Sequence, residues 1–189
     1  MSKFIEFFGD DLRACWLGFC LLSSGLHFAL ICKHAMSLQS VKDFFSNRQI
    51  DIDIIELPVS TATVALAAEA HGVEPGQIAK TLAFQLNDGR VALVVAKGDA
   101  RIDNKKFKDA LGKGKMLGLD AVAEITGHPV GGVCPFGLAS PLPVYLDVSL
   151  KIYEEVIPAA GSTNSAVRIS PEKMADITQA EWVDVCQSQ

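Results

Sequence analysis

Gly131-Gly132-Val133-Cys134-Pro135-Phe136-Gly137 is the stretch around which this chain is organised. It places three glycines, a proline and an aromatic residue within seven positions. Glycine permits a positive φ and a close backbone approach because it has no Cβ, and proline fixes its own φ. The composition predicts a stiff loop whose N–H groups suit a carbonyl, carboxylate or phosphate oxygen. An ordinary connection between two elements is the alternative.

The size and composition of the chain predict one domain, or one domain plus an appendage, with a substantial core. It has 189 residues, of which 49% are hydrophobic, and this is enough for such a core. Its net charge of −5 argues against a broad surface for nucleic acid but is compatible with a local basic patch. Five cysteines, at positions 15, 20, 32, 134 and 186, form no CxxC pair, which is typical of reduced thiols in a cytoplasmic protein. The four histidines show no metal-binding spacing, so no metal or other cofactor is expected.

The first 35 residues differ in character from the rest of the chain. The run 14–32 is uncharged and strongly apolar, with a length near that of a membrane-spanning helix. Acidic residues precede it where a signal peptide has basic ones. Three interpretations stay open: an extension upstream of a native start at Met36, a membrane anchor, or an extra packed helix. The predicted organisation is an N-terminal extension, residues 1–35, followed by one domain, residues 36–189.

From Met36 onward, the pattern predicts strands and helices in no regular βαβ order, which is typical of an α+β domain. Apolar periodicity predicts helices over 37–47, 61–71, 103–111 and 120–126, with a last one from 171. Strand-like runs occur at 50–57, 80–86, 91–96, 143–148, 156–160, 166–169 and 182–186. Asn87-Asp88-Gly89 predicts a hairpin turn between two of them.

Three groups of polar residues are candidates for chemistry. Lys80 stands in an apolar strand, where its ammonium could meet a phosphate or an oxyanion at the mouth of a cleft, or simply lie at a sheet edge. The segment 97–115 is locally basic and suits either a phosphate backbone or a solvated helix face. The loop from Gly161 to Ser165 either orients a polar substrate or closes a turn. No GxSxG serine and no Cys–His pair is evident.

Taken together, these motifs resemble the YbaK/EbsC family, the free-standing relatives of the editing domain in bacterial prolyl-tRNA synthetases. The likeness covers about residues 37–187 and depends on Lys-Thr-Leu at 80–82, Thr-Gly at 126–127, GGVxPFG at 131–137, and AGS at 160–162 followed by RISP at 168–171. It implies an α+β fold with flanking helices. The sheet would be curved, mixed and mostly antiparallel, forming a partial barrel.

The resemblance also implies an activity, because this family removes amino acids from mischarged tRNA. The chain would be a cytoplasmic trans-editing aminoacyl-tRNA deacylase that acts on a small amino acid carried by tRNA-Pro or a related tRNA. Its partners would be the 3′ end of aminoacyl-tRNA and an aminoacyl-tRNA synthetase, with neither DNA nor a membrane expected.

The family's site residues can be placed by position. Lys80 would be the catalytic residue and would engage the phosphate and terminal ribose of the tRNA. The 131–135 segment matches a GxxxP loop that would cradle the aminoacyl carbonyl, facing Lys80 across one cleft, with the second glycine loop as the opposite wall. The implied substrate-binding residues are Thr81, Gly131, Gly132, Val133, Cys134, Pro135, Phe136, Gly137, Asp147, Gly161, Ser162 and Asn164.

Two departures from the family leave the edited amino acid open. Some relatives carry a histidine in the second loop, where this chain has Ser162, Asn164 and Ser165, and some cysteine-specific members have a tyrosine near 58–64, where this chain has none. Hydrolysis would use a positioned water and backbone N–H donors for the oxyanion, with no protein nucleophile. The alternatives are a non-catalytic module that binds an aminoacyl-tRNA end or a small molecule, and a membrane-tethered accessory protein.

Overall fold

The structure, a computed structural model, describes residues 37–187. The three interpretations of residues 1–35 lie outside this range, and the boundary at residue 36 stays a prediction. Every helix between residues 37 and 187 is too short or too polar to cross a bilayer.

The described part of the chain contains five α-helices and eight strands. The helices are α1 (37–47), α2 (Val64–His71), α3 (Asn104–Leu111), α4 (Leu119–Thr126) and α5 (Pro171–Thr178). The strands are β1 (Ile54–Glu56), β2 (Ile78–Leu86), β3 (Val91–Lys97), β4 (Gly114–Met116), β5 (Val144–Asp147), β6 (Ile157–Pro158), β7 (Ser165–Val167) and β8 (Glu181–Val183). Short 3-10 helices cover Pro75–Gln77 and Val148–Ile152.

The larger sheet has the order β4-β2-β3-β5-β8, and β6 also pairs with β2. β2 is antiparallel to β3 and β4, whereas β2–β6, β3–β5 and β5–β8 are parallel. β1 and β7 form a separate antiparallel pair. The predicted α+β fold with a mixed sheet and flanking helices is confirmed, and the sheet does not close into a barrel.

Local turn and capping chemistry explains where the central elements begin and end. The predicted hairpin joins β2 to β3, with Gly89 at φ +87° and its N–H donating to the carbonyl of Leu86 at 3.0 Å. The second helix begins later than predicted because Thr63, rather than Thr61, is its N-cap and accepts from the N–H of Leu66. It ends at Gly72, whose φ of 65° suits a residue without a Cβ.

The first strand is shorter than the predicted span of 50–57. Only Ile54–Glu56 is in strand conformation, because its partner β7 offers three residues, Ser165–Val167. Ile50 and Ile52 still pack against the main core, as their alternation predicts. The apolar pattern therefore identifies which side chains are buried, while the length of the partner limits the ladder.

The main core lies between α1 and one face of the larger sheet. Phe45 of α1 and Phe136 of the glycine loop pack with their ring centroids 5.0 Å apart. The loop also meets the helix backbone, since a Cβ on Gly137 would lie 2.5 Å from the carbonyl oxygen of Ser40. Ser40 Oγ donates to the carbonyl of Gly137 at 2.8 Å. The second half of the glycine loop is thus anchored to α1.

Asp147 is the last residue of β5 in the larger sheet. Its side chain is fully buried, Oδ2 accepts from the N–H groups of Val185 at 2.8 Å and Cys186 at 3.1 Å, and Oδ1 accepts from the N–H of Ser149 at 3.0 Å. The carboxylate therefore ties the end of β5 to the segment after β8.

We expect Asp147→Ala to lower the free energy of unfolding by about 3 kcal/mol, because three backbone donors lose a charged acceptor. Urea denaturation of wild type and variant measures this loss. Asp147→Asn, which keeps two of the possible acceptor contacts, should be affected less. A stability loss under about 0.5 kcal/mol for the alanine variant, typical of a surface change, would contradict this structural role.

Candidate functional site

A cavity of about 260 Å³ lies beside β2. It adjoins the edge of β2 that faces away from β3, which we call the outer edge. Residues 78–83 of β2 form one side, α2 and the segment before it form a second, and α4 forms a third. Gly131 and Val133 of the glycine loop complete the lining together with Ile157, Ala159 and Ala166. Of the predicted site residues, Lys80, Thr81, Gly131 and Val133 therefore border one cavity.

The first half of the glycine loop is a tight turn. The N–H of Gly132 donates to the carbonyl of Pro129 at 2.9 Å, and Gly131 has φ +86°, as the third residue of a type II turn requires. A Cβ on Gly131 would also lie 2.7 Å from the Cβ of Ala62. Within residues 37–187, the N–H groups of Gly131 and Val133 have no hydrogen-bond acceptor. They are the donors that this loop offers near the cavity.

The second half of the loop faces the protein interior. Cys134 and Phe136 are fully buried in the main core, and Pro135 and Gly137 border a separate groove beside α1. Burial raises the pKa of the Cys134 thiol to about 12, so the thiolate is not formed at neutral pH. These four residues do not line the cavity; they anchor the glycine loop to the rest of the protein.

His128 links the glycine loop to the start of α1. Its Nε2 lies 2.8 Å from the carbonyl oxygen of Phe136, which can only accept, so Nε2 carries the proton. Nδ1 then accepts from the hydroxyl of Ser37 at 2.6 Å. Burial lowers the pKa of His128, and the neutral ring satisfies both partners.

We expect acid to destabilise the fold through His128. Its pKa is lower in the folded than in the unfolded chain, so its contribution is present above about pH 6.5 and is lost as pH falls below that value. Urea denaturation at pH 7.5 and 5.0 should give a smaller pH effect in His128→Gln than in wild type. An equal loss in both proteins would show that His128 is not responsible. His71, whose pKa is lowered by burial and then by Arg168, adds to the same trend in both.

Lys80 borders the cavity, but its ammonium is engaged by the protein. Nζ donates to the carbonyl of Gly98 at 2.9 Å and to that of Ala100. Gly98 packs tightly against Val64, a residue of the cavity wall. Burial lowers the pKa of Lys80, with Cys186 and Asp99 acting in the opposite direction. An ammonium has three donors, so one remains for an anion or a hydroxyl.

Two polar side-chain atoms of the cavity lining are buried without a partner among the described residues. They are Thr81 Oγ1 and His71 Nε2. A buried polar atom without a partner is costly, and a ligand in the cavity would remove that cost. Sequence reasoning identified Thr81 but missed His71, whose only signal was its place in the last turn of α2, seven residues before β2.

The second glycine loop is largely satisfied by its own contacts. Ser162 Oγ lies 2.8 Å from Asn164 Oδ1 and 2.7 Å from Ser165 Oγ, and Asn164 Nδ2 donates to the carbonyl of Leu57 at 2.8 Å. The loop also contacts the first one, since a Cβ on Gly132 would lie 2.7 Å from the carbonyl carbon of Ser162.

Several predicted substrate-binding residues do not line the cavity. Among the second-loop and sheet positions these are Gly161, Ser162, Asn164 and Asp147. Ala159 and Ala166, on either side of the second loop, do line it. The second glycine loop therefore supports the cavity wall without lining the cavity.

Comparison with known proteins agrees with the motifs. Residues 59–177 match the sequence profile of a family described as an aminoacyl-tRNA editing domain. The uncharacterized protein YwhH of Bacillus subtilis is 48% identical over 80% of this chain and 98% of its own length. EbsC of Enterococcus faecalis, whose name describes a candidate Cys-tRNA(Pro)/Cys-tRNA(Cys) deacylase, is 31% identical over 62% of this chain and 73% of its own length.

A solved structure shows the same fold. It is described as a candidate trans-editing enzyme for prolyl tRNA synthetase, with a TM-score of 0.74 and 35% identity, covering 80% of this chain and 98% of that one. The profile match covers more than half of the chain, and the relatives align along most of their lengths. This chain belongs to the aminoacyl-tRNA editing domain family.

Proposed function

We propose that this protein is a trans-editing deacylase that hydrolyses the ester of a small amino acid attached to the 3′ end of a mischarged tRNA, in the cytoplasm. The observation that carries the proposal is the 260 Å³ cavity, which combines a mostly apolar lining with unpartnered polar groups. The family's description as an aminoacyl-tRNA editing domain and the name of EbsC, which describes a candidate deacylase, support ester hydrolysis. The tRNA would be tRNA-Pro or a related one.

The N–H groups of Gly131 and Val133 are the candidates for stabilising the reacting carbonyl. An aminoacyl ester is already activated, so catalysis needs a fixed substrate, a positioned water and donors for the oxyanion of the tetrahedral intermediate. Backbone donors held by a tight turn need little reorganisation during the reaction. Attack by a positioned water is the proposed route, and the buried Cys134 thiol, which does not line the cavity, takes no part in it.

Lys80 is the candidate for binding the tRNA end. Its ammonium is fixed by the carbonyls of Gly98 and Ala100, and its third donor is available for a phosphate oxygen or a ribose hydroxyl. Because a lysine ammonium acts as a point charge, this placement would hold the terminal nucleotide while the aminoacyl group enters the cavity.

Exposed lysines beyond the cavity favour a phosphate-binding role for the basic segment. Lys113 and Lys115 lie next to Met116, which lines the cavity, and Lys105 and Lys108 lie on α3. Exposed lysines bind nucleic acid backbones in a salt-dependent manner. We propose that they contact the acceptor stem.

The cavity volume suits a ligand of the size of one aminoacyl group. Drug-sized ligands occupy pockets of about 300–1,000 Å³, and this cavity has about 260 Å³; the preference for a small amino acid comes from the resemblance to the family. A second site that admits small residues is the principle of editing by size.

Deacylation of a panel of mischarged tRNAs tests the proposal. Purified protein should release alanine, cysteine, serine or another small amino acid from at least one tRNA, and should leave tryptophanyl- and phenylalanyl-tRNA intact. Tight tRNA binding without turnover of any member would favour the alternative, a non-catalytic module that binds the aminoacyl-tRNA end or a small molecule.

A further inference from the structure

Strand pairing along the outer edge of β2 is interrupted next to the cavity. β6 pairs with Ile78 and Ala79, and β4 pairs with Phe84 to Leu86. The residues between them, 80–83, pair with a strand only on the β3 side. The one outward contact in this interval is the carbonyl of Ala83, which accepts from the N–H of Leu117 at 2.8 Å.

The hydrogen-bond pattern fixes which backbone groups face the interruption. The N–H of Leu86 donates to Arg90, within the β2–β3 hairpin, whereas the N–H of Asn87 donates to Lys113, on the β4 side. Successive residues of a strand direct their backbone groups to opposite edges. The N–H and C=O groups of even-numbered residues in β2 therefore point toward β3, and those of odd-numbered residues point toward the outer edge. The N–H and C=O of Thr81 therefore face the interruption, and in the described chain neither has a backbone partner.

We infer that the aminoacyl group of the substrate fills this interruption by pairing with the backbone of Thr81 as a single antiparallel residue. Its amine would donate to the carbonyl of Thr81, and its ester carbonyl would accept from the N–H of Thr81. An α-amino acid presents an amine and a carbonyl at the spacing of one peptide unit, which is the spacing that an antiparallel hydrogen-bonded pair requires.

The composition of the cavity supports this mode of recognition. No aspartate or glutamate is among its lining residues, so the amine has to be recognised by neutral acceptors. The carbonyl of Thr81 is one, and His71 Nε2 is unpartnered on the same lining. The carbonyl oxygen of the ester has two lone pairs, so it can accept one hydrogen bond from the N–H of Thr81 and another from the glycine loop.

This pairing rests on the proposed function and deepens it, because it specifies that the site reads the α-amino-acyl backbone in addition to the size of the side chain. It predicts that the position of the amine matters. Moving the amine by one carbon, or removing it, should cost about one hydrogen bond, or roughly tenfold in affinity.

Isothermal titration calorimetry of the full-length protein tests this with three 3′-acylamino-3′-deoxyadenosines, in which an amide replaces the reactive ester. We expect the alanyl compound to bind at least about tenfold more tightly than the β-alanyl and propionyl compounds. Thr81→Val, which keeps the backbone and removes Oγ1, should retain that preference.

Equal affinities for the three compounds, or no binding of any, would overturn the inference. Loss of the preference in Thr81→Val would also overturn it, because the side chain would then be the recognition group. The measurement does not depend on turnover. A preference for the alanyl compound by a protein that hydrolyses no tRNA in the panel would therefore refute the proposed catalysis and leave the pairing standing.

Discussion

Replacing Lys80 by methionine is expected to reduce kcat/KM for deacylation by at least about 100-fold, the loss seen when a preorganised electrostatic group is removed from a catalytic site. Methionine keeps an unbranched apolar stem of similar length and removes the charge. In the proposed complex, the phosphate or ribose at the tRNA end would lose its cationic partner. Single-turnover rates on the tRNA that wild type deacylates best provide the measurement.

The control for this variant is Lys173→Met, on the exposed face of α5. It removes the same charge from a helix that does not line the cavity, so its rate should stay within about twofold of wild type. Because Lys80 also holds the carbonyls of Gly98 and Ala100, thermal unfolding must be measured alongside. A folded Lys80→Met protein with a normal rate would refute the role of this ammonium.

Gly132→Ala is expected to impair both stability and activity. The new Cβ would lie 2.7 Å from the carbonyl carbon of Ser162 and 2.9 Å from its oxygen, so the two glycine loops must move apart. Overpacking of this kind costs about 2 kcal/mol. The movement also displaces the N–H of Val133, and a shift near 1 Å in a catalytic group costs up to about 100-fold in rate. Urea denaturation and the same deacylation assay measure the two effects.

Gly118→Ala is the matched control for the glycine substitution. A Cβ at Gly118 meets nothing within 4 Å, and its φ of −64° is open to any residue. The expected cost is about 0.5 kcal/mol, because alanine is a poorer N-cap than glycine. If the Gly118 and Gly132 variants behaved alike, the close contact between the loops could not be what supports the site.

The local elements of this fold are readable in the sequence because local chemistry determines them. The β2–β3 hairpin follows from Asn87-Asp88-Gly89, and α5 begins where Ser170 caps it and Pro171 occupies its first turn. One boundary that differs from prediction, that of the first strand, depends on a remote partner. The first strand is limited by the length of β7, and no pattern within residues 50–57 could indicate that limit.

The candidate site was only partly predictable because it depends on which faces of the elements meet. The motifs identified Lys80, Thr81, Gly131 and Val133, which border one cavity. They could not show that Lys80 is held by backbone carbonyls.

Two other features of the site required the tertiary structure. The contribution of His71 to the lining is one, since a single histidine at the end of a helix has no distinctive pattern. The interruption in the pairing of β2 is the other, because it arises from where β6 and β4 end and no short motif encodes it.

Some polar residues that the resemblance assigns to the substrate make their hydrogen bonds inside the protein instead. Ser162, Asn164 and Asp147 stand in segments that the resemblance associates with the substrate, yet their hydrogen bonds are made within the protein. A motif reports that residues occur together, and it does not distinguish residues that support a loop from residues that contact a ligand. Burial and bonding distinguish these roles only when the structure is known.

A crystal structure with 3′-alanylamino-3′-deoxyadenosine is the decisive test of the cavity as the aminoacyl site. We predict that the alanyl group occupies the cavity between β2 and the glycine loop, with its carbonyl oxygen about 3 Å from the N–H of Gly131 or Val133 and the ribose toward Lys80. An alanyl group bound outside this cavity, with Gly131 and Val133 making no contact to it, would contradict the account.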